Sequence, residues 1–194
     1  MSDEKKIMDV PSSEQLGSEL KRLRRKQSFR RNIRSTVGAL IVVAAAAIII
    51  TSVLMPVFRV TGSSMSPTLA NDEVVLCVRS SHYEQGDIVA FHYNNKVLLK
   101  RVIGLPGDVI QISEDGTVTV NDVVLDEPYI SEKALGECDI RMPYKVPENR
   151  LFVMGDHRAV SIDSRSTSVG CIAEENVVGV VLMRLLPMKE FGFV

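Results

Sequence analysis

Apolar residues in this chain follow two periods, with one unbroken block between them. In the first segment Leu16, Leu20 and Leu23 recur at helical spacing among Lys21, Arg22, Arg24, Arg25 and Lys26. Pro11-Ser12-Ser13-Glu14 is a helix-start signal ahead of them, and the polar residues 1–11 are expected to be disordered. Residues 37–57 then hold no charged side chain. At about 1.5 Å per residue, a helix of that length spans a hydrocarbon core of about 30 Å. From residue 58 the period falls to two, in short apolar runs separated by turn residues. Strands are expected at 73–79, 87–93, 96–103, 109–112, 117–120, 123–125, 151–154 and 177–186. Asn94-Asn95, Ser113-Glu114-Asp115-Gly116 and Asn121-Asp122 supply the hairpin turns. Residues 131–149 read as a loop. The expected fold is mostly β: a partly closed antiparallel β-barrel or sheet, with a small β-ribbon subdomain and one N-terminal transmembrane helix.

Charge sharpens the division. The net charge is −1, but residues 1–36 carry ten Lys/Arg against five Asp/Glu, and the remainder is acidic. The expected organisation is a cytoplasmic basic tail (1–36), a membrane anchor (37–57) and an extracytoplasmic domain (58–194), with 109–154 as a minor insertion. The basic cluster before the span places the N-terminus in the cytoplasm. Two readings of the basic head compete with topology-setting: a helix lying on anionic lipid, and nucleic-acid binding. A solvated, topology-setting tail is preferred, and no nucleic acid is expected as partner. A cleaved signal peptide is the rival to an anchor. The long polar head and the run into Met55-Pro56-Val57-Phe58-Arg59, with no small-x-small site, favour an uncleaved anchor in the plasma membrane. The aliphatic bias, with 5% aromatic residues and no Trp, suits a β core. Cys77, Cys138 and Cys171 match no zinc spacing, and no metal is expected. They are either one disulfide and a spare thiol or three free thiols.

Three stretches carry candidate chemistry. Thr61-Gly62-Ser63-Ser64-Met65-Ser66-Pro67-Thr68-Leu69 follows the apolar block, which puts Ser64 beside a membrane. A serine needs a base to become a nucleophile. The chain has three histidines, His82, His92 and His157, and none sits in a Ser-His-Asp pattern. Lys100 is the other option. Alternation places it with Leu98 and Val102 on one strand face, and desolvation there lowers a lysine pKa. Read alone, Lys100 is also a strand-edge lysine facing water. The third stretch, from Gly155 to Arg165, holds Ser161, Asp163 and Arg165; read alone it is equally a solvated polar loop.

Together these stretches resemble bacterial type I signal peptidases. Ser64-Met65-x-Pro67-Thr68-Leu69 is similar to that family's nucleophile box, and Gly86-Asp87-Ile88-Val89 to its central strand box. The run Lys100-Arg101-Val102-Ile103-Gly104-Leu105-Pro106-Gly107-Asp108 is similar to its lysine box. Gly155-Asp156-x-Arg158-x-x-Ser161-x-Asp163-Ser164-Arg165 is similar to its last box. The resemblance implies a Ser-Lys serine endopeptidase, without cofactor, that removes signal peptides from exported preproteins after a small-x-small motif. It implies Ser64 as nucleophile, Lys100 as general base, Ser161 as the hydroxyl that orients Lys100, and Asp163 and Arg165 as structural residues. It also implies a substrate pocket from Phe58, Val60, Thr61, Met65, Leu69 and Leu99, with membrane lipid beside Phe58 and Leu69. The Ser64 amide is one implied oxyanion donor; Gly62 stands where some members place a second. His157, Ala159 and Val160 depart from the family pattern. They support a second reading, a membrane-anchored β-domain that binds exported peptides without cutting them. A self-cleaving Ser-Lys regulator is the third reading, and the anchor argues against it.

Overall fold

The computed structural model describes residues 13–194, apart from the side chains at 13–16, 18–20, 23, 24, 26–28 and 31. The stretch 1–11 and the side chains of Leu16, Leu20 and Leu23 therefore lie outside the described residues. One helix, α1 (Ser13–Leu54), takes in the basic stretch and most of the apolar block. No proline interrupts it. Within it Asn32–Leu54 is long and apolar enough to cross a membrane, and its apolar side chains are exposed. The helix stops three residues short of the expected 57. Pro56 disfavours helical backbone at Met55, whose N–H makes the last backward bond, to Thr51 O at 2.7 Å. Val57 already lies in a strand.

The chain divides between Ile50 and Thr51 into two compact units. The second unit carries every strand: β1 (Val57–Arg59), β2 (Val74–Val78), β3 (Ile88–Tyr93), β4 (Lys96–Gly104), β5 (Val109–Ile112), β6 (Val118–Val120), β7 (Val123–Val124), β8 (Tyr144–Lys145), β9 (Arg150–Met154), β10 (Ile172–Ala173), β11 (Val177–Leu186) and β12 (Gly192–Phe193). The larger sheet runs β1-β2-β11-β3-β4-β9-β10, with β12 also on β11; the smaller runs β7-β6-β5-β8. All pairings are antiparallel. No ladder joins β1 to β10, so the larger sheet stays open rather than closing into a barrel.

Asn94 and Asn95, with φ of 44° and 60°, make the tight turn that the right-handed strand twist favours between β3 and β4. The strands that periodicity did not reveal, β1, β8, β10 and β12, are two or three residues long. β9 pairs with β4, not with the small sheet, so 150–154 belong to the larger sheet rather than to the minor insertion.

Three apolar clusters fill the domain. One joins Val60, Met65 and Leu69 to Val75, Cys77 and Ile88. A second packs the small sheet under Ile103, Phe152 and Met154. The third packs Val89, Phe91, Val102, Leu151 and Val153.

Candidate active site

Ser64 occupies a turn between β1 and β2 in which Ser66 N donates to Ser63 O (3.1 Å) and Leu69 N to Met65 O (2.9 Å). Met65 and Leu69 point inward and peg the turn to the core. Gly62, with φ of 92°, adopts the left-handed backbone that glycine tolerates, and its N–H is held by Asn71 Oδ1 at 2.8 Å. Ser64 is thus fixed on both sides yet half-exposed.

Lys100 lies in the middle of β4. Its cross-strand partner is Val89, and its neighbours Leu98 and Val102 pack in the same apolar cluster as Val89. Only 4% of it is exposed. Its Nζ lies 2.6 Å from Ser64 Oγ. Burial disfavours the ammonium and pulls the Lys100 pKa below the ordinary lysine value. The nearby Asp163 and Asp156 oppose that pull, Arg165 reinforces it, and desolvation is the largest effect. A neutral amine at this distance accepts the serine proton.

The residues after β9 wrap the backbone of Ser64. Its carbonyl accepts from His157 N at 3.0 Å. Gly155 is the point of closest approach: a Cβ there would stand 2.2 Å from Ser161 Oγ and 2.5 Å from Ser64 O. Ser161 therefore reaches the same side of Gly155 as Ser64. Its hydroxyl is buried and has no hydrogen-bond partner. The expected bond between Ser161 and Lys100 is not formed; what is present is a spare hydroxyl beside the Ser64 backbone. His157 contributes its backbone, which explains how an altered side chain leaves the arrangement intact. Among the described residues, no acceptor meets the Ser64 amide, which is left free as a donor.

Asp163 and Arg165 hold this segment from behind. Their side chains are fully buried and paired, Nε to Oδ1 at 2.9 Å and Nη2 to Oδ2 at 2.9 Å. Asp163 Oδ2 also accepts from Gly155 N at 2.9 Å. Arg165 donates to the carbonyls of Leu135 (2.6 Å) and Arg158 (2.9 Å). A buried pair is tolerated when its remaining hydrogen-bonding groups are satisfied in this way.

Sequence reasoning gave no role to a further buried pair. Arg101 grips Asp156 bidentately, Nε to Oδ1 at 2.9 Å and Nη2 to Oδ2 at 2.7 Å. The Thr68 hydroxyl donates to the same Asp156 Oδ2. The pair thus ties the lysine strand, the Ser64 turn and the last loop together. The available signal was Arg101 itself, a second charge directly after Lys100 in a strand whose other interior positions are apolar.

A cleft of about 110 Å³ opens beside Ser64 and Lys100, between Phe58, Val60, Thr61 and Met65 on one wall and Val97, Leu98 and Leu99 on the other. Five of the six expected pocket residues line it. Leu69 does not: it is fully buried in the core on the inner side of its turn, away from the cleft and from the surface. Arg59, Val97 and Leu98 line the cleft without having been anticipated. The three cysteines are free thiols. Burial pushes the Cys77 thiol up to about 12. Among the described residues, no group of His, Cys, Asp and Glu is arranged to hold a metal ion.

A family model described as signal peptidase, peptidase S26, matches residues 33–186. Signal peptidase I of Bacillus licheniformis is 35% identical over 167 residues, covering 79% of this chain and 89% of the relative. Signal peptidase I S of Bacillus subtilis is 31% identical, covering 84% and 94%. Signal peptidase IB of Staphylococcus aureus is 34% identical, covering 70% and 80%.

Proposed function

We propose, for a chain that belongs to the signal peptidase family (peptidase S26), that Ser64 and Lys100 are its catalytic pair. The protein is a membrane-bound serine endopeptidase, and its substrates are exported preproteins carrying signal peptides. The observation that carries the assignment of residues is the 2.6 Å contact of a buried lysine amine with Ser64 Oγ.

Neutral Lys100 takes the Ser64 proton as Oγ attacks the scissile carbonyl. The oxyanion forms against the Ser64 amide. Protonated Lys100 hands its proton to the departing amine, leaving an acyl-enzyme on Ser64. Lys100, neutral again, then takes a proton from the water that attacks the ester. Ser161 is the positioning group for the lysine; its buried hydroxyl makes no other hydrogen bond and so is free to meet the Lys100 amine, which supports that role. Asp163 and Arg165 are structural. An extended peptide adds along the cleft walls as an extra strand, and the narrow cleft favours small side chains ahead of the cut bond.

The N-terminus is cytoplasmic and the catalytic domain extracytoplasmic, which the basic residues before the span support. Lipid is a partner of the β1–β2–β11–β12 face. Val57, Leu76, Met183 and Phe193 lie in one cross-strand row, whereas the core takes Val75, Cys77 and Val181. Leu186, Met188 and Phe191 add further exposed apolar side chains. Val57 follows the end of α1 by three residues, a reach of roughly 10 Å.

A binding domain without activity is not favoured. Of the three departures from the family pattern that suggested it, Ala159 and Val160 are exposed, and His157 meets Ser64 through its backbone N–H, apart from the Ser64–Lys100 contact. The test is incubation of the detergent-solubilised protein with a labelled preprotein. Wild type cuts once, after a small residue, and Ser64→Ala does not. Cleavage retained in purified Ser64→Ala sinks the assignment.

A further inference from the structure

A segment far from the Ser64 cleft reaches into its support. After β7 the chain is tied to the small sheet by Leu125 N on Val118 O at 2.9 Å. Glu127-Pro128-Tyr129-Ile130 then forms a turn, with Ile130 N on Glu127 O at 3.3 Å. Proline presets the backbone of the second position of such a turn. The turn brings Glu127 and Tyr129 side by side, and the Tyr129 hydroxyl donates to Glu127 Oε1 at 3.1 Å.

Each side chain holds a different arginine. The Tyr129 ring lies over the Arg101 guanidinium, 3.9 Å from ring centre to carbon. The Glu127 carboxylate is buried against Arg158, whose side chain is 1% exposed. Arg158 Nε in turn donates to Gly155 O at 3.2 Å. The two arginines lead to the two sides of the reaction centre. Arg101 follows Lys100 in β4 and grips Asp156, which holds Thr68 four residues after Ser64. Arg158 backs Gly155, where a Cβ would stand 2.5 Å from Ser64 O and 2.2 Å from Ser161 Oγ.

We infer that the Glu127-Pro128-Tyr129 turn is a positioning strap for the Ser64–Lys100 pair, fixing Arg101 and Arg158 so that the lysine strand and the Gly155 loop keep their spacing. The inference rests on the reading of Ser64 and Lys100 as the catalytic pair. The Glu127 and Tyr129 side chains end on residues adjacent to the reaction centre rather than in the small sheet. Loosening the strap lets water reach Asp156 and Lys100, which favours the ammonium, and frees Asp156 from Arg101, which favours it too.

The test uses the full chain in detergent with a labelled preprotein, comparing wild type, Tyr129→Phe and Tyr129→Leu across pH. Tyr129→Leu removes the ring from Arg101 and is expected to lower kcat about thirtyfold, with KM within about twofold. Its acid limb in kcat/KM moves to higher pH. Tyr129→Phe keeps the ring and loses only the bond to Glu127; it is expected to retain about a third of wild-type kcat. If Tyr129→Leu does not fold, Tyr129→Phe decides. Wild-type kcat in either folded variant, or a loss confined to KM, overturns the strap. Wild type that fails to cut the preprotein overturns instead the reading of Ser64 and Lys100, so the two failures are distinct.

Discussion

Lys100 Nζ and Ser64 Oγ, 36 residues apart in the chain, meet at 2.6 Å with the lysine buried in an apolar cluster. Burying an ammonium costs stability, so the position of Lys100 works against the fold. In the folded protein its pKa lies below the unfolded value of 10.5. Between those two values the unfolded chain binds more protons, so stability rises with pH across that window. Lys100→Met is therefore inactive but melts higher than wild type at pH 7. The gap narrows as pH approaches the unfolded lysine value. Thermal melts of both proteins from pH 7 to 10 check this; a gap that widens with pH contradicts it.

Gly155→Ala places a methyl 2.5 Å from the Ser64 carbonyl and 2.2 Å from Ser161 Oγ. The loop or the nucleophile turn has to move. A displacement near 1 Å lowers kcat by about a hundredfold, with a smaller change in KM. Steady-state cleavage of a preprotein reads both.

Asp163→Ala leaves the Arg165 guanidinium buried without its carboxylate and also removes the acceptor for Gly155 N. The expected cost is about 3–5 kcal/mol, read by denaturant unfolding of the detergent-solubilised chain. A surface pair makes the control: Arg59→Ala breaks the exposed contact with Asp72 and costs at most about 1 kcal/mol.

Thiol labelling separates the cysteines. Cys77 and Cys171 are buried with thiols pushed above their ordinary pKa, whereas Cys138 is partly exposed. At pH 8 a maleimide labels Cys138 in the native protein, and the other two follow only on unfolding. Early labelling of Cys77 contradicts its place in the core.

Much of this was legible in the sequence because it depends on local pattern. The charge-free block gave the membrane helix, alternation gave the longer strands, and Asn94-Asn95 gave their turn. Ser64 and Lys100 became candidates because their runs, taken together with the Gly155–Arg165 stretch, resemble one family's pattern; the Lys100 run alone also reads as a strand-edge lysine. The rest depends on contacts between distant segments. Glu127 follows Asp126 in a short turn stretch with no recognisable motif, and only the fold buries it against Arg158. Leu69 looked like a pocket residue by its place in the motif. The turn bond to Met65 directs it into the core instead. Ser161 was expected to orient Lys100; its hydroxyl is instead buried without a hydrogen-bond partner, which spacing along the chain does not reveal. The helix end depended on Pro56, which outweighed the apolar character of Met55 and Val57.

The pH dependence of kcat/KM for preprotein cleavage by the full chain tests the Ser64–Lys100 pair most directly, because it reports the base of the free enzyme. The account predicts an acid limb well below the ordinary lysine range, where Lys100 takes up its proton and activity falls, and no cleavage by Lys100→Met at any pH. A limb at the ordinary lysine value, or cleavage by Lys100→Met with the same limb, contradicts it.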